Sequence, residues 1–517
     1  MWFQRPIERF LRPKAIDPMD DRVHAANEIE QYRFDWIDIQ VPEDHWSGEI
    51  KQKVADAMLA AGYAAVNSGE FDRLDKLYAE FSALYPKLIS ERSDLDRGAA
   101  VYSLLYIMLW RRTQVLSNLK TFNVDVVAPF AEFISNNFEK RVPHLSSSNA
   151  PRIAYLTESN NLDGANAVGR ITVSLILGQQ QLRESNNWPY LYCINEPLES
   201  LLNFASEHGI QVRNMARTTP TATAEAVIDQ AMADEIDILI SDNSSAVATI
   251  AFQRRAAPVQ AFHENGFAAW AIPELDLIFL GITKSASGLV SENVQAVRTP
   301  RNTAHIFQRI ARPSESIESF RNFLAVESGV SSPSTVYGVY GRMAKVTKEY
   351  MCLVEQILIN TPNAIFFAGG TGVSSAVYEK KETSPVGSRM VVLNEFVDGH
   401  IVSECIDVFL DTFPFPGGMS CIEAQARNVP VVWMASQTEE GFAIIAEQRD
   451  YALSASNGQQ YVHLAIGLDI HMRREQAGEV AGNIAKKFGN MTEQAKLVEH
   501  HLSEVWERTR VKQRSAR

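Results

Sequence analysis

Cysteine is scarce in this sequence. Four occur in 517 residues, Cys193, Cys352, Cys405 and Cys421, at no metal-ligand spacing and too few for a disulfide framework. A reducing, cytoplasmic setting is the expectation. Basic residues are outnumbered, 49 Lys and Arg against 62 Asp and Glu, giving a net charge of −13. That balance argues against a general nucleic-acid binder, while leaving room for a local basic cleft that holds a nucleotide. Long apolar runs are lacking too. The most hydrophobic stretch, AAVYSLLYIMLW at 99–110, is closed by Arg111 and Arg112. At roughly 1.5 Å per residue it cannot cross a bilayer core of about 30 Å and reads as a buried helix, so no membrane span is expected. The amino terminus carries charges where a secretory leader needs an apolar run. Neither an HExxH sequence nor an acidic DxD triplet in a polar loop is present, so no chelated metal is expected.

What is present is ample apolar material, 46% of residues, enough for about three domains at roughly 150 residues each. Residues 1–145 read as helical: Ser47 can cap a helix through Val66, and 72–85 and 95–119 continue the pattern, with Leu74, Leu77, Phe81 and Leu84 on one face. No repeat signature is readable there. The Ser- and Pro-rich segment VPHLSSSNAPR, 142–152, is a linker. From 151 to 330, short apolar runs such as RIAYL and DILI alternate with helical patterns. The alternation restarts at VYGVY and runs from 331 to 490, and 491–517 reads as a closing helix. The expected fold class is α/β: two Rossmann-like domains facing a cleft, preceded by an all-helical domain. In such sheets ligands collect at the carboxyl ends of the strands.

The clearest constellation is DTFPFPGGMSCIEAQARNVPV, 411–431. A strand ends at Asp411, and Gly417 and Gly418 precede a helix that starts near Ser420. Two glycines let backbone N–H groups approach an anion, and the positive helix end favours phosphate. Ser420 can donate a hydroxyl, and Glu423, one turn in, can reach a ribose diol. The alternative is an ordinary helix cap made by the same two residues. Arg342 and Lys345, three apart after VYGVY, can neutralise a diphosphate as it leaves. The AGGTG loop containing Gly370 is a weaker candidate for the same cleft. Phe396, after the strand ending at Leu393, either packs beside a base or belongs to the core.

In the first α/β half, His263 emerges at the end of the strand APVQAF and is the histidine best placed to meet an acceptor. Glu158 and Asp163, in the loop TESNNLDG, are candidate general bases, with Asp163 taken as the catalytic one. Asp242 and Asn243 form a further pair after DILI.

These residues resemble a family. The two-sheet plan is similar to the GT-B fold of nucleotide-sugar glycosyltransferases. Within it, the chain looks most like the group holding the O-linked N-acetylglucosamine transferases and the bacterial cytoplasmic N-glucosyltransferases of adhesins. Three stretches carry the likeness: 237–262 (DILISDN, then RRAAPVQAF), 339–345, and 407–431. The resemblance implies that Lys345 contacts the donor diphosphate, that the helix end at Ser420 holds phosphate, and that Glu423 binds ribose. It implies inverting, metal-independent transfer of a hexose or N-acetylhexosamine from a UDP-sugar, the co-substrate, to a protein side chain, with no further cofactor. The helical first part stands where relatives carry an acceptor-binding domain; covering an edge of the first sheet or forming a homodimer seam are the other readings. Arg342 departs from the family's glutamine and resembles the Arg/Lys pair of other GT-B enzymes. A glycan or small-molecule transferase, a nucleotide-sugar epimerase and a non-catalytic assembly partner are the alternatives.

Overall fold

A computed structural model describes residues 46–68, 71–111, 116–160, 167–182, 189–264, 270–280, 294–299, 312–372, 374–413, 416–435, 453–467, 475–479, 482–483 and 491–515. The chain divides into two compact units: the first holds Ile37–Gly62, Asp72–His305 and Lys487–Arg517, and the second includes Tyr63–Phe71 and Ile306–Lys486.

Helices come first along the described chain: α1 (Gly48–Ser68), α2 (Phe71–Leu88), α3 (Leu95–Arg111), α4 (Leu116–Phe122) and α5 (Ala128–Asn137), the last two joined by a single wide turn, Asn123–Val127. A buried ion pair, Lys51 Nζ to Asp94 Oδ2 at 3.0 Å, ties α1 to the start of α3. The α/β elements follow: β1 (Ile153–Thr157), α6 (Ala167–Leu182), β2 (Tyr190–Cys193), α7 (Glu199–Glu207), β3 (Gln211–Asn214), α8 (Pro220–Ala233), β4 (Ile238–Ser241), α9 (Ala246–Gln253), β5 (Val259–His263), β6 (Leu277–Leu280) and β7 (Gln295–Arg298). The strands make one parallel sheet in the order β3-β2-β1-β4-β5-β6-β7. Local chemistry sets the helix starts. Thr219 Oγ1 accepts from Ala222 N at 3.1 Å with Pro220 just inside α8, and Ser245 Oγ accepts from Ala248 N at 3.2 Å at α9.

The helical segment is built into this unit. Tyr102 donates its hydroxyl to Ser244 O at 2.8 Å, Asn123 Oδ1 accepts from Ala271 N at 3.0 Å, and Gln253 Nε2 donates to Ala131 O at 3.2 Å. The linker is clasped as well. Asp237, fully buried, accepts from Ser146 N at 2.7 Å, from Ser146 Oγ at 2.7 Å and from Arg152 N at 2.8 Å.

The second unit contains α10 (Ser314–Ser328), β8 (Val336–Arg342), α11 (Lys348–Asn360), β9 (Ile365–Thr371), α12 (Ser375–Thr383), β10 (Met390–Leu393), α13 (Gly399–Cys405), β11 (Val408–Leu410), α14 (Met419–Ala426), β12 (Val431–Met434), β13 (Leu453–Ala455) and α15 (Gly458–Ile466). Its sheet is again parallel, in the order β10-β9-β8-β11-β12-β13. Both sheets therefore follow the dinucleotide-fold order, with the reversal between β1 and β4 in one and between β8 and β11 in the other. The last helix, α16 (Met491–Ser515), returns to the first unit, where Ala495, Val498, Leu502, Val505 and Trp506 join the core under the sheet. Each larger apolar side chain so buried contributes roughly 1.5–3 kcal/mol.

One local reading changes, and one further helix appears. The AGGTG stretch is not a loop through Thr371: β9 continues to that residue, paired with β8 at Gly341↔Gly370. Residues 246–253, apolar except for Thr249 and Gln253, form the helix α9, buried along its whole length, so no exposed polar face marks it. Residues 436–452, within the second run of alternation, lie outside the described residues.

Candidate functional site

The reversal point of the second sheet gathers most of the sequence candidates. β8 ends at Gly341 and Arg342, and one tight turn, Met343–Lys345, follows. Arg342 is exposed. Lys345 is half-buried, and its Nζ donates to Pro416 O at 2.7 Å, in the turn that leads from β11 into α14. That turn folds back on its own strand: Asp411 Oδ1 accepts from Thr412 N at 2.9 Å and from Gly417 N. Burial pushes the Asp411 carboxyl up to about 6, against the opposing pull of the Gly417 N–H, the Cys421 thiol and the Lys345 charge.

Gly418 caps α14 with φ +62° and ψ −113°, a backbone setting that a side chain would strain. Ser420 Oγ donates to Gly417 O at 2.9 Å, so the hydroxyl stiffens the turn rather than forming a reciprocal cap with Glu423. A Cβ built on Gly341 would lie 3.6 Å from Ser420 Oγ, which places the end of β8 beside the amino end of α14. Glu423 is buried, 8% exposed. Tyr340 lies near it: its phenol is pushed up chiefly by burial and then by the Glu423 charge, and its oxygen is 3.1 Å from Ser403 Oγ. Arg427 completes this corner, donating from Nη1 to Glu423 O at 2.8 Å and from Nε to His400 Nδ1 at 3.1 Å. Asp398 caps α13 through His400 N at 2.8 Å and accepts from Arg312 Nε at 2.6 Å.

The structure thus brings together Lys345, Gly417, Gly418, Ser420 and Glu423, with Gly370 one strand away. A Cβ on Gly370 would fall 1.5 Å from Gly341 O, so this glycine serves the approach of β9 to β8. Phe396 is 42% exposed rather than core. Tyr340, Asp398, His400, Asp411 and Arg427 were not singled out from sequence; only the position of Asp411 at the strand end could have marked it. Chemically, a cation and the positive end of a helix meet on one turn while an acid lies one helical turn beyond. That arrangement can hold a phosphate chain with a hydroxyl-bearing group attached.

In the first unit, His263 ends β5 and is 2% exposed; its Nε2 lies 3.3 Å from Gln494 Nε2 of α16. Asp163 lies outside the described residues. Asp242, buried after β4, accepts from Thr172 Oγ1 at 2.7 Å, from Asn243 Nδ2 at 3.0 Å and from the backbone N–H of Glu158. Among the described residues, His500, His501 and Glu504 bring their ligand atoms within 4.8 Å of one another on α16. His501 Nδ1 is 3.1 Å from Glu504 Oε2. Among the same residues, no helix is long and apolar enough to cross a membrane.

Among solved structures, a mutant of the Thermobaculum terrenum O-GlcNAc transferase is similar over 95% of this chain and 98% of its own, at 17% identity and a TM-score of 0.53. Anabaena HepE in complex with UDP is 15% identical over 68% of this chain and all of its own, with a TM-score of 0.49. No protein-family model and no curated protein matches the sequence. With its two parallel sheets in dinucleotide-fold order, the chain has the fold of the GT-B glycosyltransferases.

Proposed function

We propose that the protein is a glycosyltransferase that moves a hexose or N-acetylhexosamine from a UDP-sugar to an acceptor, a protein side chain, with inversion and without a metal. One observation carries this reading: Lys345 reaches the Pro416 turn at the glycine-capped start of α14, and Glu423 lies buried one turn further along. A diphosphate laid over that turn meets the lysine charge and the helix end together. As the sugar–phosphate bond breaks, negative charge grows on the departing diphosphate, and Lys345 stabilises it where it forms. Glu423 accepts hydrogen bonds from the ribose hydroxyls. Asp411 and Ser420 keep the turn in shape, and Gly418 supplies a backbone angle that other residues avoid.

The protein acceptor rests on the resemblance alone. Calorimetric titration of the full chain with UDP, UMP and uridine tests the donor half. Binding that strengthens from uridine to UDP is expected. No heat with UDP would remove the reading.

A further inference from the structure

The solvent side of α16 carries three metal-ligating side chains that the proposed donor site does not use. Along EHHLSE, residues 499–504, His500 and Glu504 are four apart and His501 and Glu504 three apart, so one helical turn sets both imidazoles against one carboxylate. His500 Nε2 lies 3.6 Å from Glu504 Oε1, and His501 Nδ1 lies 3.1 Å from Glu504 Oε2. One ligand atom from each of the three residues lies within 4.8 Å of the other two. A tetrahedral ion held at about 2.0–2.1 Å spaces its ligand atoms roughly 3.3 Å apart. Both imidazole–carboxylate distances are close to that spacing. The imidazole–imidazole distance needs only a turn of His500, whose side chain is 64% exposed.

The surroundings suit a cation better than a hydrogen bond alone. Arg508 Nη2 donates to Gln295 Oε1 at 2.8 Å, and this fixes the Gln295 amide, on β7 of the same unit, with its nitrogen toward His501. That Nε2 lies 3.5 Å from His501 Nδ1. A proton on Nδ1 satisfies Glu504 but points a second donor at the amide. A bare Nδ1 accepts from the amide, but then its lone pair faces the carboxylate at 3.1 Å. A metal ion takes the nitrogen and oxygen lone pairs together, at the cost of the loose amide contact only. Neighbouring charges on the helix are already engaged: Glu499 accepts from Gln179 Nε2 at 2.8 Å, and Lys496 pairs with Glu493 at 3.4 Å.

We propose that His500 Nε2, His501 Nδ1 and the Glu504 carboxylate form a binding site for a divalent transition metal of the zinc class, with water in the fourth position. Two imidazoles and one carboxylate suit such an ion; magnesium and calcium demand more oxygens. The inference goes beyond the glycosyltransferase reading, and no step of sugar transfer passes through these residues. Its consequence is mechanical. The ion ties together the turn of α16 whose other side, Leu502 and Val505, closes the core of the first unit. Only the formed helix presents the three ligands at once, so binding adds to the stability of that unit.

The test uses the full chain without a histidine tag, stripped with a chelator and titrated calorimetrically with zinc sulfate. Cobalt(II) chloride serves as a visible-absorption probe of the same site. One zinc ion per chain is expected, and cobalt should give the strong visible bands of a tetrahedral shell. His500→Ala, His501→Ala and Glu504→Gln should each weaken zinc binding at least about tenfold. Circular dichroism should stay unchanged in the first and third variants, since His500 and Glu504 are exposed. Cys352→Ser, which removes the exposed thiol, should bind zinc as the unaltered chain does. Absence of saturable zinc binding overturns the proposal, as does full-affinity binding by the double variant His500→Ala, His501→Ala.

Discussion

The ammonium of Lys345 donates to the carbonyl oxygen of Pro416 at 2.7 Å, joining the turn after β8 to the turn after β11 across the reversal point of the sheet. One side chain thereby both shapes the glycine turn and adds charge beside it. Lys345→Ala should weaken UDP binding and slow turnover together, each by at least about tenfold, or about 1.4 kcal/mol. Calorimetry and steady-state rates of UDP release check this.

Glu423→Ala should behave differently. Ribose lies away from the bond that breaks, so UDP affinity should fall while the rate at saturating donor holds within about threefold. A loss confined to turnover would show that Glu423 does not meet the ribose.

Gly370→Ala has a structural outcome. A methyl there would fall 1.5 Å from Gly341 O, on a residue whose φ is +150°. The strands must separate at the mouth of the site, at a cost of about 2 kcal/mol or more. A lowered Tm together with weakened UDP binding is expected from thermal melts and titration.

Glu158→Gln should stabilise the fold, but only at higher pH. The carboxyl's folded-state value is raised from 4.5 to about 7. Its favourable share of stability is therefore complete below about 4.5 and lost as pH rises through about 7. Neutral Gln escapes the burial of a charge. The variant should melt higher than the unaltered protein at pH 8 and at about the same temperature at pH 4; melting curves at both pH values decide.

Deleting residues 1–145 should leave an insoluble product. It would strip the Tyr102, Asn123 and Ala131 partners from Ser244, Ala271 and Gln253, and open the apolar face they cover. Solubility and circular dichroism of the truncated chain are the measurements.

The α/β architecture was legible because strand and helix signals alternate strongly, as in RIAYL and DILI, and the glycine turn at 417–418 marked the loop that the proposed function assigns to the donor. Less legible were the contacts that chain separation hides. Tyr102 lies 142 residues from Ser244, and no local pattern pairs them. Tyr340 and Arg427 read as a strand residue and a helix-end cation, yet both flank Glu423. His263 had the right strand end, but the sequence could not show α16 lying over that end, with Gln494 at 3.3 Å. Helix α10 was hidden for another reason: its residues are mostly polar, so only Phe320, Leu324 and Ser328 are buried and the apolar stripe is thin.

The return of α16 to the first unit has a consequence for synthesis. A ribosome makes residues 72–305 long before 491–515, yet the core under the first sheet lacks Val498, Leu502 and Trp506 until the final helix emerges. The unit between them, Ile306–Lys486, can close while its predecessor still waits with apolar surface uncovered. The earlier-born half is thus the later-finished one, and synthesis halted before Met491 would spare the second unit while leaving the first as a client for chaperones.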